Sequence, residues 1–303
     1  MPVQEPIIEI SGLYKSYKDF EAVKGLDLTV YRGDVFGFLG PNGAGKSTTI
    51  RMLLTLIRPT SGDIRIFGKS LSANREEILR KTGAIVEKPD LYGYLSAFDN
   101  LKLLGRMSGV TIHSNRIIEV LELVGLKDRA HDKIKTFSHG MKQRVGLAQA
   151  LVHDPELIIL DEPTTGLDPQ GMVEIRELIF KLSREYKKTI LLSSHILNEV
   201  ELVANRMVII NKGKVVIEGE VDSLLNSGDL KVSIETTQPE KARQLLHASR
   251  YREFLKNDNG NTLQLQLKKE HIAGINHLLV SEGVDVSSLV PVRSLEAYFL
   301  NLT

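Results

Sequence analysis

The chain has 303 residues, which is long enough for one or two domains with a sizeable buried core. Its 39 Lys and Arg residues nearly balance its 38 Asp and Glu residues, so we expect no nucleic-acid partner that depends on a general basic field. It contains no cysteine, which excludes disulfides and thiolate metal sites and is compatible with a reducing cytosol.

The N-terminal sequence and the apolar runs bear on a membrane location. The first six residues, MPVQEP, lack the basic start and apolar core of a signal peptide. The longest apolar runs are short, such as residues 157–160 and 207–210. Because a membrane-spanning helix needs about 20 mostly apolar residues, we expect any link to a membrane to go through a partner protein.

Strands and helices are predicted to alternate through the first two thirds of the chain. Residues 7–10, 26–30 and 35–39 predict strands, and helical periodicity dominates residues 74–126. Further strands are predicted at residues 157–160, 189–193, 206–210 and 214–218. A helix is predicted at residues 172–186, between the first two of these strands. Apolar strands that alternate with helices favour an α/β structure in which helices cover both faces of a sheet.

A different pattern begins near Gly219. Half-buried strands are predicted at residues 231–237, 263–267 and 284–292, and helices at residues 239–249, 271–280 and 294–302. With three strands, the order only approximates the four-stranded β-α-β-β-α-β of the split βαβ arrangement, and the helix at residues 294–302 closes it. We therefore predict a second, smaller α+β domain over residues 221–303.

A glycine-rich turn follows the strand predicted at residues 35–39. Residues 40–47, GPNGAGKS, match the phosphate-binding motif G-x-x-x-x-G-K-[ST]. Glycine lets backbone N–H groups approach phosphate oxygens, and the next helix adds the positive potential of its N-terminus. Lys46 can reach the β- and γ-phosphates, and the Ser47 hydroxyl can ligate Mg²⁺. The predicted nucleotide-binding residues here are Asn42, Gly43, Ala44, Gly45, Lys46, Ser47 and Thr48.

Two carboxylates follow the strand predicted at residues 157–160. Asp161 can hold Mg²⁺ at the strand's end. Adjacent side chains of a strand point to opposite faces, but a turn can bring Glu162 beside the γ-phosphate as the general base for an attacking water. Taken alone, the pair could equally be a solvated acidic turn before Pro163. The phosphate loop favours the catalytic interpretation.

The segment FSHGMKQR, at residues 137–144, resembles a variant of the LSGGQ signature of ATP-binding cassette (ABC) ATPases. The resemblance covers roughly residues 7–220. It implies a P-loop NTPase of the ABC type over residues 1–220, with a RecA-like core, an antiparallel β subdomain and a helical subdomain at about residues 88–155. Residues 221–303 would then form a ferredoxin-like accessory domain, whose role stays open between dimer brace, regulatory domain and docking surface.

The resemblance also implies roles for single residues. Tyr17 would stack on adenine and Val23 would line the same face of the base, although an ordinary packing tyrosine is the alternative for Tyr17. Asp168, in the sequence TGLD, resembles the D-loop aspartate at the dimer interface. His195 follows a predicted strand and resembles the switch histidine, which contacts the γ-phosphate and orients the water.

Two features depart from the usual family pattern. Glu87 stands where most members have a glutamine that contacts Mg²⁺ and the attacking water, so the resemblance implies that Glu87 is a metal ligand with Ser47 and Asp161. A glutamate at this position resembles the bacitracin-resistance type of exporter ATPase. In the signature, His139 replaces glycine and Met141 replaces glutamine. Ser138 and Gly140, which have the clearest phosphate-facing roles, are kept.

Together these features predict an ATP-binding and ATP-hydrolysing subunit of an ABC exporter, with ATP and Mg²⁺ as cofactors. The resemblance implies a homodimer, a separate ABC-2-type transmembrane permease, and a cytoplasmic protein held at the inner face of the membrane by that permease. One alternative is a soluble ABC ATPase with a regulatory or non-transport role. Another is a regulator that binds ATP without hydrolysis; the intact residues Lys46, Asp161, Glu162 and His195 argue against it.

Overall fold

The computed structural model describes residues 5–109, 111–226, 230–257 and 262–293. The chain divides into two compact units, Met1–Glu220 and Val221–Thr303. The helix predicted at residues 294–302 lies outside the described residues. Within the described part of the chain, no helix is both long and apolar enough to cross a membrane.

The first unit contains both parallel and antiparallel strands. Its strands are β1 Pro6–Tyr17, β2 Phe20–Tyr31, β3 Val35–Leu39, β4 Ser61–Ile66, β5 Lys69–Ser70, β6 Thr82–Ile85, β7 Leu157–Leu160, β8 Thr189–Ser194, β9 Arg206–Asn211 and β10 Lys214–Glu220. Its helices are α1 Lys46–Leu53, α2 Arg75–Arg80, α3 Ala97–Met107, α4 Ser114–Leu123, α5 His139–Leu151, α6 Pro169–Arg184 and α7 Leu197–Glu201.

The central sheet has the order β10-β9-β3-β8-β7-β6. Its neighbours from β9 to β6 are parallel, and β10 adds an antiparallel edge. Every residue of β3, β7 and β8 is buried, as is typical of strands covered on both faces. Because parallel strands end at the same edge of a sheet, the segments that follow β3, β7 and β8 lie side by side.

A second sheet, in the order β2-β1-β4-β5, is antiparallel. β1 and β2 are longer than the strands predicted at residues 7–10 and 26–30. The pairing of β1 with β2 shifts register between Ile10 and Leu13, and Gly12 there has a φ of +53°. This bulge interrupts the two-residue alternation, which is why the sequence pattern predicted only part of each strand.

The segment predicted as mainly helical contains a strand. β6 lies between α2 and α3 and pairs in parallel with β7, so the helical prediction for residues 74–126 was wrong at this point. A stretch of four residues carries too little periodicity to show its type. α3, α4 and α5 pack against one another, and α3 and α5 begin with the serine N-caps Ser96 and Ser138.

The second unit is a small α+β structure. Its elements are α8 Val221–Asn226, β11 Leu230–Thr236, α9 Pro239–Ala248, β12 Leu255–Asn257, β13 Thr262–Leu267, α10 Ile272–Ser281 and β14 Val286–Arg293. The antiparallel sheet has the order β12-β13-β11-β14. Buried residues of its strands pack with α9 and α10 around Ile234, Leu246, Leu263 and Leu279. From β11 to β14, the elements follow the split βαβ order.

Candidate functional site

The phosphate loop joins β3 to α1. Gly45 is the N-cap residue of α1 and has a φ of +109°, in the left-handed region that glycine tolerates. A Cβ atom at Gly45 would lie 2.6 Å from the carbonyl oxygen of Ala22, so a side chain does not fit there. Residues 41–48 form one wall of a cavity of about 390 Å³, which we call the phosphate cavity.

Lys46 is held at the base of the loop. Its side chain is 5% exposed, and its Nζ donates hydrogen bonds to the carbonyl oxygens of Gly40, at 2.7 Å, and Pro41, at 3.3 Å. The same Nζ lies 3.2 Å from Oε1 of Glu162. A buried ammonium group that faces a glycine-rich loop is suited to binding anionic oxygens.

The carboxylate of Asp161 is fixed by a buried hydroxyl of the neighbouring strand. Asp161 is 2% exposed and follows β7; Ser193, in β8, is fully buried. Oγ of Ser193 donates to Oδ1 of Asp161 at 2.6 Å and accepts the backbone N–H of Glu162 at 2.9 Å. One serine therefore orients both acidic residues.

Glu162 turns its side chain into the phosphate cavity. Its φ of +51° is unusual for a residue with a side chain and takes the backbone out of the strand's alternation. Oε2 accepts hydrogen bonds from Nδ1–H of His195 at 2.6 Å and from Oγ1 of Thr165 at 3.0 Å. Such strained conformations cluster at functional sites.

Opposing effects act on the Glu162 carboxyl group. Burial raises its pKa, while the hydrogen bond from His195 and the positive charge of Lys46 lower it. The lowering effects prevail, so the pKa lies below its ordinary value. Glu162 is therefore ionised near neutral pH and can accept a proton from a water molecule.

The phosphate cavity thus collects most of the predicted nucleotide and catalytic residues. Asn42 to Thr48 line it together with Glu162, Thr165 and His195. Ser47 lines the cavity and offers a hydroxyl, whereas Asp161 is absent from its described lining. Hydroxyl and carboxylate oxygens are ligands that fit Mg²⁺.

The two residues predicted to contact the base lie elsewhere. Val23 is 1% exposed, belongs to the hydrophobic core and is absent from the described lining of the phosphate cavity, so its contact with the base stays a prediction. Tyr17 is 45% exposed, with Nζ of Lys15 4.9 Å from its ring centre, and is absent from the described residues that line the phosphate cavity. Phe20 and Ala22 line the cavity instead.

Glu87 also lies away from the described lining of the phosphate cavity. It follows β6 with a φ of +61°, and its carboxylate pairs with the guanidinium group of Arg51 in α1. The Arg51–Glu87 pair is the side-chain contact that the structure shows for this glutamate. Its role as a metal ligand stays a prediction.

The signature residues form a separate cavity of about 330 Å³, which we call the signature cavity. Ser138, His139 and Gly140 line it with the loop that includes Gly166 and Asp168. Oγ of Ser138 accepts the N–H of Met141 at 3.2 Å, and the Asp168 carboxylate accepts the N–H of Gly171 at 3.0 Å, so both side chains cap helices. Among the described lining residues, the two cavities have none in common.

Comparison with known proteins identifies the family. The ABC transporter family matches residues 23–165. The bacitracin transport ATP-binding protein BcrA of Bacillus licheniformis is 42% identical over 299 residues, which cover 98% of this chain and 97% of that protein. The chain belongs to the ABC transporter ATP-binding proteins. The ABC transporter ATP-binding protein YhcH of Bacillus subtilis is also 42% identical, over 98% of this chain and 96% of that one.

A solved ABC structure agrees with this assignment. The dimeric, post-hydrolysis ABC structure MJ0796 bound to ADP and Pi matches with a TM-score of 0.64 and 27% identity, over 71% of this chain and 98% of that one. The α/β fold predicted from the sequence is confirmed, as is the family resemblance. This chain is therefore an ATP-binding protein. Its family and the similarity to a structure bound to ADP and Pi are evidence for ATP hydrolysis.

Several residues of the ABC site were missed at the level of sequence. Ser193 contacts both acidic residues, and Thr165 contacts Glu162. Phe20 lines the phosphate cavity and lies at the first position of β2. The available signal for Phe20 was an aromatic residue two positions before the apolar pair Ala22 and Val23. Ser193 and Thr165 carry no comparable signal in the sequence.

Proposed function

We propose that this protein hydrolyses ATP to energise a separate transmembrane permease of an ABC exporter, and that it does so as a homodimer. The observation that carries the proposal is the convergence of Lys46, Glu162 and His195 on the phosphate cavity. The 42% identity to a bacitracin transport protein supports an export role.

The chemistry follows from the geometry of the site. The triphosphate of ATP would lie on the loop of residues 41–48, with the Lys46 ammonium beside its terminal oxygens. Ser47 and Asp161 would hold Mg²⁺, which would supply positive charge to neutralise the phosphates. Glu162 would take a proton from the attacking water, and His195, bonded to the same carboxylate, would hold that carboxylate in place and contact the γ-phosphate.

The separation of the two cavities supports a dimeric active site. In a closed two-fold arrangement, the signature cavity of one chain would face the phosphate cavity of the other. Ser138 could then donate a hydrogen bond to the γ-phosphate, and Gly140 would allow close backbone approach. Asp168 would lie at this interface.

The contact with the permease is proposed for the segment that precedes α3. Tyr92 and Tyr94 are 43% and 67% exposed, and their rings meet edge to face at 5.9 Å. Exposed neighbouring aromatic rings are typical of protein interfaces. We propose an ABC-2-type permease, which would hold this subunit at the cytoplasmic face of the membrane.

The test is the substitution Glu162→Gln in the subunit purified with its permease. Removing the general base should reduce ATP turnover by about 100-fold or more while ATP binding persists. Glu185→Gln, an exposed glutamate at the end of α6, is the matched control and should leave turnover unchanged. Unchanged turnover in Glu162→Gln would contradict the base role, and an active subunit that binds no permease would contradict the export role.

A further inference from the structure

Glu199 in α7 joins two loops of the active site through one oxygen atom. Its Oε2 accepts a hydrogen bond from Oγ1 of Thr164 at 2.8 Å and another from Oγ of Ser194 at 3.0 Å. Thr164 belongs to the loop after β7, and Ser194 is the last residue of β8. No sequence motif pointed to this glutamate.

These two hydroxyls lie next to the catalytic contact. Thr164 is two residues beyond Glu162, and Ser194 immediately precedes His195. The Glu162 and His195 side chains meet at 2.6 Å. The Glu199 carboxylate therefore links the two segments that carry this pair. Glu199 itself is absent from the described lining of the phosphate cavity.

The Glu199 link adds to the contact by which Ser193 already joins β8 to Asp161 and to the backbone of Glu162. Glu162 has a left-handed backbone conformation, which persists only where surrounding contacts enforce it. α7 has five residues, so its own backbone hydrogen bonds stabilise it little. The Ser194 hydroxyl also accepts the N–H of Ile196 at 3.0 Å, which connects the start of α7 to the same cluster.

We propose that Glu199 is a positioning residue that holds Glu162 and His195 at their catalytic spacing. This inference rests on the proposed function. When the carboxylate is removed, the Thr164 and Ser194 hydroxyls lose their common acceptor, so the two segments lose one of the contacts that fix their spacing. A displacement of about 1 Å at reacting groups reduces rates by up to about 100-fold.

The experiment measures ATP hydrolysis by three variants purified with the permease. Glu199→Ala should lower kcat by about 10- to 100-fold and leave KM for ATP within about twofold, because the phosphate loop is untouched. Glu199→Gln keeps a carbonyl oxygen that can accept both hydroxyls, so it should recover most of the activity. Asn198→Ala, an exposed neighbour on α7, should behave as the unmodified protein.

Thr164→Val tests the same link from its other end without changing side-chain volume greatly. Thr164→Val should also lower kcat. The double variant with Glu199→Ala should have nearly the same kcat as Glu199→Ala alone, because both changes break the same link. Wild-type kcat in Glu199→Ala, or failure of Glu199→Gln to recover activity, would overturn the proposal. Failure of the proposed function is distinguishable, because Glu162→Gln would then hydrolyse ATP like the unmodified protein.

Discussion

At the scale of residues, Glu162 connects the features of the phosphate cavity. It contacts Lys46, His195 and Thr165 through its carboxylate and Ser193 through its backbone. In a regular strand, the side chains of Asp161 and Glu162 would point to opposite faces of the sheet. The left-handed backbone at Glu162 ends that alternation. The contacts with His195 and Lys46 also stabilise the ionised form of Glu162 in the folded protein.

The lowered pKa of Glu162 predicts a pH dependence of stability. A carboxyl group whose pKa is lower in the folded than in the unfolded state contributes stability above its ordinary pKa, here 4.5. That contribution disappears as the pH falls through the lowered folded value. We therefore expect urea unfolding to show the unmodified protein more stable than Glu162→Gln at pH 7, with a smaller difference below about pH 4.5. A difference that stays constant down to pH 3.5 would contradict this.

At the scale of elements, the contact of β6 with α5 brings the signature helix onto the central sheet. Gly83 lies in β6, and a Cβ atom there would be 2.0 Å from the carbonyl oxygen of Ala150 in α5. Gln143, also in α5, donates its Nε2–H to the carbonyl oxygen of Pro163 at 3.1 Å. α5, the helix that begins at the signature, is thus fixed to β6 and to the loop that follows Glu162.

Substitution of Gly83 tests this packing. We expect Gly83→Ala to lower the free energy of unfolding by about 1–3 kcal/mol, because neither the strand nor the helix backbone can yield without loss of hydrogen bonds. The matched control is Gly93→Ala, where the nearest atom to an added Cβ lies 3.8 Å away. Denaturant unfolding measures both; equal stability of the two variants would show that β6 and α5 do not pack this closely.

Much of the fold and of the site could be predicted from patterns of neighbouring residues in the sequence. The loop at residues 40–47 was predicted because strand, turn and helix are consecutive there, and Lys46 and Glu162 follow from motifs of adjacent residues. Contacts between distant segments had no such signal: Arg51 with Glu87, Ser193 with Asp161, and the pairing of β6 with β7. The lining of the phosphate cavity by Ala22, the neighbour of Val23, had no such signal either.

At the scale of the whole molecule, the central claim is that two copies of this chain share their ATP sites. The phosphate cavity and the signature cavity are built from different described residues, and neither unites the phosphate loop with the signature. We therefore propose that one chain offers two halves of a site and that a two-fold pair would complete both.

The mass of Glu162→Gln in solution, measured with and without ATP and Mg²⁺, tests this claim most directly. Because the variant should bind ATP without hydrolysing it, we predict twice the mass of one chain when ATP is present and a single chain's mass without it. Adding Ser138→Arg to the same chain should block the signature cavity and restore the single mass. A monomer in the presence of saturating ATP, or an ATP-dependent dimer that Ser138→Arg leaves intact, would contradict the shared site.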